Sequence, residues 1–142
     1  MASPKSTTGQ PITAGNARFT PTNMTTSRMT VILIPAFNEA GVIADVLGEI
    51  KAACDFPVIV IDDASTDNTV AIAEQAGATV IPLSAQLGAW GATQTGLRYA
   101  LRNGYDTAIT MDADGQHDAA SLAALLEPIN TGVADVVVGA CT

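Results

Sequence analysis

Aromatic side chains are scarce in this chain, at 4% of residues. A core cannot be built around large rings. It must come from the Ala, Val, Ile and Leu that fill much of the 48% hydrophobic fraction, a composition that suits helices packed on a parallel sheet. Basic residues are also few: six Lys and Arg face fourteen Asp and Glu, a net charge of −8. That balance argues against a nucleic-acid-binding surface. A protein so acidic that handles phosphates must rely on metal ions and backbone N–H groups. There are only two cysteines, Cys54 and Cys141, far apart and in no metal-ligand spacing, so free thiols in a reducing compartment are expected. No apolar run is long enough to span a bilayer, and the N-terminus has no basic-then-apolar leader, so a cytoplasmic location is expected.

Two phosphate-binding fingerprints are missing as well. No G-x-G-x-x-G follows the first apolar run, and there is no G-x-x-x-x-G-K-[ST] anywhere. A receiver domain would need a lysine at the end of its last strand, yet no lysine follows Lys51. A haloacid-dehalogenase-type phosphatase would carry D-x-D-G-T near its first strand. Here Asp112-Ala-Asp-Gly-Gln falls on the fourth, and the glutamine removes the hydroxyl.

What is present is a regular alternation. Residues 1–28 are rich in Ser, Thr, Pro, Asn and Gly and read as a disordered tail. Apolar strands are predicted at Met29–Pro35, Pro57–Asp63, Thr79–Pro82, Thr107–Met111 and Ala134–Gly139. Pro35 is expected to end the first. Helices are predicted between them. Asn38 is expected to cap one that places Val42, Ile43, Val46, Leu47 and Ile50 on its inner face. Ser65, Thr66 and Asp67 should start the next, which Gly77 closes. Ser84–Gly91 reads as a loop, followed by a helix at Ala92–Arg102 that is expected to carry Leu97, Ala100 and Leu101 on its inner side, and another at Ser121–Ile129. This β-α repeat gives an α/β domain over residues 29–142, a mostly parallel Rossmann-like sheet with helices on both faces.

Three strands end in chemistry-bearing residues, on the edge where open α/β sheets bind ligands. The first runs into Pro35-Ala-Phe-Asn-Glu39 and the second into Ile61-Asp-Asp-Ala-Ser-Thr-Asp67. The fourth runs into Asp112-Ala-Asp-Gly-Gln-His117. Asp112 and Asp114 can converge on one point, where two like charges need a cation between them. All-oxygen donors suit Mg²⁺ or Mn²⁺. Asp62 reads equally well as a cap for the following turn, while His117, Arg98 and Arg102 read as solvated or structural side chains.

Taken together, these three motifs resemble family 2 glycosyltransferases of the GT-A fold, in particular the dolichol-phosphate mannosyltransferase-like group. The resemblance implies metal-dependent, inverting transfer of a sugar from a UDP- or GDP-sugar. The acceptor it implies is a polyprenyl phosphate at a membrane surface or a glycan. It assigns nucleotide-sugar binding to Pro35, Phe37, Glu39, Ile61, Asp63, Asp112, Ala113 and Asp114, and metal binding to Asp112, Asp114 and Gln116. Phe37 stands where a tyrosine is more usual. The loop Gln86-Leu-Gly-Ala-Trp-Gly91 lacks the lysine of the family's Asn-x-Gly-Lys-Gly. The acceptor-side half of a GT-A domain would follow Thr142. The expectation is therefore a C-terminally truncated, nucleotide-binding half whose edges invite self-association, with a binding module lacking turnover as the competing reading.

Overall fold

The computed structural model describes residues 29–114 and 122–132. Among these, β1 (Thr30–Ala36), α1 (Ile43–Ala53), β2 (Val58–Asp62), α2 (Thr69–Gln75), β3 (Thr79–Pro82), α3 (Gly88–Arg102), β4 (Thr107–Thr110) and α4 (Leu122–Asn130) follow one another. The predicted strand at 134–139 and the tail at 1–28 lie outside the described residues. The four strands form one parallel sheet in the order β3-β2-β1-β4.

Helices cover both faces, as the alternation of apolar side chains along β1 demands. Ile32, Ile34 and Ala36 point to one side and pack with Ile43, Val46, Leu47 and Ile50 of α1 and Ala73 of α2. Val31 and Leu33 point to the other and join Ile59, Ile61 and the Ala92 and Ala100 of α3. No large aromatic is needed, because α3 approaches the sheet through small residues. At Gly96 the approach is closest: a Cβ there would stand 2.7 Å from the Ile61 Cδ1 and 3.3 Å from the Leu33 Cδ1. Gly96→Val is accordingly expected to cost about 1–3 kcal/mol by overpacking, read as a lower urea midpoint at unchanged slope.

Two predicted boundaries move. Pro35 does not end β1; the strand continues to Ala36, and Pro35 pairs in register with Ile61. The rungs explain why. Even-numbered residues of β1 bond toward β2, with the Ile32 N–H donating to the Pro57 carbonyl at 2.9 Å and the Ala36 carbonyl accepting from the Asp63 N–H at 2.8 Å. Odd-numbered ones bond toward β4, and that ladder ends where the Met111 N–H donates to the Leu33 carbonyl at 3.0 Å. The next rung toward β4 would need an N–H on residue 35, which proline lacks. So Pro35 ends the pairing on one side only. The second change is that α3 starts at Gly88, not Ala92. Its first N–H groups find their acceptor on Asp63, just after β2. Among the described residues, no helix is long and apolar enough to cross a membrane.

Candidate functional site

The strand order reverses between β1 and β4: β2 and β3 lie to one side of β1, and β4 lies to the other. At such a switch point the loops leaving neighbouring strands turn to opposite faces and open a crevice at the strands' carboxyl ends. A cleft of about 260 Å³ lies there. It is lined by Pro35, Ala36, Phe37 and Glu39 after β1, Asp63 after β2, Gln86, Gly88 and Ala89 after β3, and Asp112, Ala113 and Asp114 after β4. Every strand contributes, and seven of the eight residues expected to bind a nucleotide sugar line one cavity.

The eighth does not. Ile61 is fully buried in the sheet, with its side chain against α3 at Gly96. The strand's alternation puts its neighbour Asp62 on the opposite face. Asp62 is buried too, and its Oδ2 accepts from the Ser65 N–H at 3.1 Å, so of its two readings the turn-capping one matches what it does here. Gln116 and His117 lie outside the described residues.

Asp63 is the most constrained acid in the cleft. It is 3% exposed, and its two oxygens accept from two successive backbone N–H groups, Leu87 at 2.7 Å and Gly88 at 2.9 Å. These are orphan donors at the start of α3, so a carboxylate just after β2 caps a helix 25 residues away in sequence. Gly88 enters the helix at φ +86°, a conformation that glycine adopts without penalty. The glycine and the acid thus fix the β3–α3 loop, placing Gln86 and Ala89 on the cleft wall without any lysine. This use of Gln86, Gly88 and Ala89 escaped sequence reasoning, because its signal is a pairing between distant segments.

The β1–α1 loop is held in the same manner. Asn38 does not cap α1, which begins after Val42 with no side-chain cap. It sits at φ +54° and its Oδ1 accepts from the Thr66 N–H at 2.8 Å. In return the Ser65 Oγ accepts from the Asn38 N–H at 2.9 Å and the Thr69 Oγ1 from the Glu39 N–H at 2.9 Å. Asp67 Oδ2 takes the Ala40 N–H at 3.3 Å. Ser65, Thr66 and Asp67 therefore brace the neighbouring loop more than they start α2, although Asp67 Oδ1 does accept from the Thr69 N–H at 3.0 Å, just ahead of the helix. The brace sets where Phe37 and Glu39 stand.

Asp67 also accepts a short hydrogen bond from the Thr69 hydroxyl, and this contact above all holds its carboxyl below the ordinary 3.8. A depressed folded-state pKa stabilises the fold at pH above the unfolded value, and the contribution is lost as pH falls through the folded one. The stability difference between the wild type and Asp67→Asn is expected to be constant near neutrality and to shrink below pH 3.8, as followed by urea unfolding across pH.

Asp112 and Asp114 are exposed, while Met111 and Ala113 between and before them are buried. That alternation puts both carboxylates on the solvent side of the chain, within the cleft's wall. Among the described residues, no cluster of three or more His, Cys, Asp or Glu could hold a metal by itself. Two carboxylates with open positions remaining are a donor set that suits Mg²⁺ or Mn²⁺ shared with phosphate oxygens. The described lining includes four acids, Glu39, Asp63, Asp112 and Asp114, and no Lys, Arg or His.

A parallel sheet covered on both faces, with acid-rich strand ends meeting at the switch point, matches the GT-A domains of solved sugar transferases. The chain belongs to glycosyl transferase family 2, whose family model matches residues 31–142. Among curated relatives it is 30% identical over 126 residues to polyprenol monophosphomannose synthase of Mycolicibacterium smegmatis, covering 84% of this chain and 47% of that protein. It is 37% identical over 113 residues to undecaprenyl-phosphate mannosyltransferase of Micrococcus luteus, covering 75% of this chain and 46% of the relative. The chain thus spans about half the length of these relatives. Among solved structures it resembles glucosyl-3-phosphoglycerate synthase from Mycobacterium tuberculosis in complex with Mn²⁺, UDP-glucose and phosphoglyceric acid. There the TM-score is 0.62 at 26% identity, over 74% of this chain and 40% of that one.

Proposed function

We propose that this chain supplies the donor-binding part of a sugar transferase that uses a nucleotide-diphosphate sugar and a divalent metal, with a polyprenyl phosphate as acceptor. One observation carries the reading: three motifs far apart in sequence line a single cleft at the switch point. Phe37, 38% exposed, offers a ring for base or ribose contact. Glu39 and Asp63 are acceptors for ribose hydroxyls and base N–H groups. Each Asp63 oxygen already takes one backbone N–H and keeps a lone pair for another donor. Asp112 and Asp114, with Gln116 beyond them in sequence, would hold the metal. When bound, that ion neutralises the diphosphate as it departs.

The relatives support the choice of acceptor, since the two mannosyl-transferring proteins are named for polyprenol and undecaprenyl phosphate. A phosphate acceptor is already ionised at neutral pH and needs little help from a base. Attack on the face of the sugar opposite the leaving nucleotide inverts the anomeric carbon.

Calorimetry with UDP and GDP, each with and without Mn²⁺, tests the donor assignment. Binding of one nucleotide only in the presence of metal is expected, and absence of binding to either in any condition refutes it. Incubation with the matching nucleotide sugar and a short polyprenyl phosphate then separates transfer from binding alone; a binder that makes no product is a donor-binding module.

A further inference from the structure

Among the described residues, the outer face of α3 plays no part in the cleft or the core. Its inner face is spent on Ala92, Gly96 and Ala100 against the sheet. Leu97 and Leu101, expected on the inner side, instead face outward because small residues take the sheet-facing positions: the outer face shows Trp90 at 69% exposure, Leu97 at 39% and Leu101 at 79%, with Leu87 at 57% just before the helix. Trp90, Leu97 and Leu101 are spaced seven and four apart, so they share one stripe of the helix. Exposed Leu97 and Leu101 are each followed by an exposed arginine, Arg98 and Arg102. The local charge has the matching sign. Between Glu74 and Asp106 the sequence has no acid and two arginines, +2 within a chain of −8.

We infer that this face docks on an anionic lipid surface. A helix lying in a membrane interface needs what α3 has: apolar side chains on its outer face, a tryptophan to sit at headgroup depth, and basic side chains flanking the stripe whose stems follow the apolar surface while their heads reach lipid phosphates. A second copy of the chain fits less well. A stable protein interface takes roughly 800 Å² per partner, more than four apolar side chains present. A two-fold contact through this stripe would also bring the arginine pairs of both copies together. Because the N-terminal end of α3 walls the cleft through Gly88 and Ala89, docking on this face would hold the cleft beside the lipid headgroups. The inference stands without the donor assignment, and its test uses no nucleotide.

Trp90 is the only tryptophan, so its emission reports on this face alone. The full chain is titrated with vesicles of phosphatidylcholine and of phosphatidylcholine mixed with phosphatidylglycerol. A blue shift and quenching by brominated lipid are expected on the mixed vesicles, weakening as salt rises. Arg98→Glu and Arg102→Glu should each weaken partitioning to the mixed vesicles by about fivefold or more. Leu97→Asp combined with Leu101→Asp should abolish it, with secondary structure checked by circular dichroism. Emission that stays unchanged with both vesicle types overturns the inference. So does a blue shift that grows with protein concentration in the absence of lipid, which would assign the face to a second copy. Undiminished partitioning of the Leu97→Asp, Leu101→Asp variant would do the same by moving the contact elsewhere on the molecule.

Discussion

Removal of divalent metal by EDTA is expected to abolish nucleoside diphosphate binding, and Asp114→Ala is expected to weaken metal-supported binding by about a hundredfold or more. The reason is electrostatic. The described lining of the cleft carries four carboxylates and no cationic side chain. A diphosphate entering it meets charge of its own sign from Glu39, Asp63, Asp112 and Asp114, and like charges at such range repel strongly. In relatives with a lysine in the β3–α3 loop, part of that repulsion could be offset by the protein. Here Ala89 lines the wall where the motif would place the lysine. Calorimetry with Mn²⁺, with EDTA, and with Asp112→Ala and Asp114→Ala resolves the matter. Equal affinity with and without metal would remove both acids from the assignment. Ala89→Lys offers the reciprocal result: an introduced cation should restore some metal-independent binding.

The second large effect concerns stability. Asp63→Ala is expected to lower unfolding free energy by about 3 kcal/mol or more. Two charge-assisted hydrogen bonds disappear, and the N–H groups of Leu87 and Gly88 are left facing a site that is almost closed to water. Asp63→Asn should do little better, because its amide can accept with only one of the two atoms that face donors. Urea unfolding gives the magnitude, and hydrogen exchange at Leu87 and Gly88 gives the location. A change below about 0.5 kcal/mol, the range of ordinary surface substitutions, would mean that the acid does not anchor the loop. The same residue serves the donor reading, so loss of nucleotide binding in this variant carries meaning only when measured under conditions where it remains folded.

Both results bear on how far the sequence could be read. The sheet was legible because continuous apolar runs such as Val31-Ile-Leu-Ile34 have few alternatives to a strand buried on both faces. The order of motifs was legible for the same reason: Pro35 to Glu39, Asp63 and Asp112 to Asp114 each stand where such a run stops. Side-chain direction was less so. Ile61 adjoins the acid pair in sequence, but the two-residue period of the strand sends it under α3. Least legible were contacts across loops. Ser65, Thr66 and Asp67 look like the start of a helix, since the residue types that cap a helix also bind backbone N–H groups of any other segment within reach. Local sequence cannot say which N–H groups those are. The partners of Asn38 and Asp63 lie 24 to 28 positions away, and only the parallel crossover brings them together.

Pro35 has one more consequence. Pairing between strands propagates like a zipper, each rung aligning the donor and acceptor of the next. Toward β4 the zipper has a missing tooth at residue 35, so the two strands part company at that rung. Widening such a fork then takes no broken hydrogen bond, whereas deepening it would first break the bond from the Met111 N–H to the Leu33 carbonyl. A substitution at Pro35 that supplied an N–H would let the strands zip one step further, toward Met111, and the cavity that four strand ends build would begin to seal from its floor.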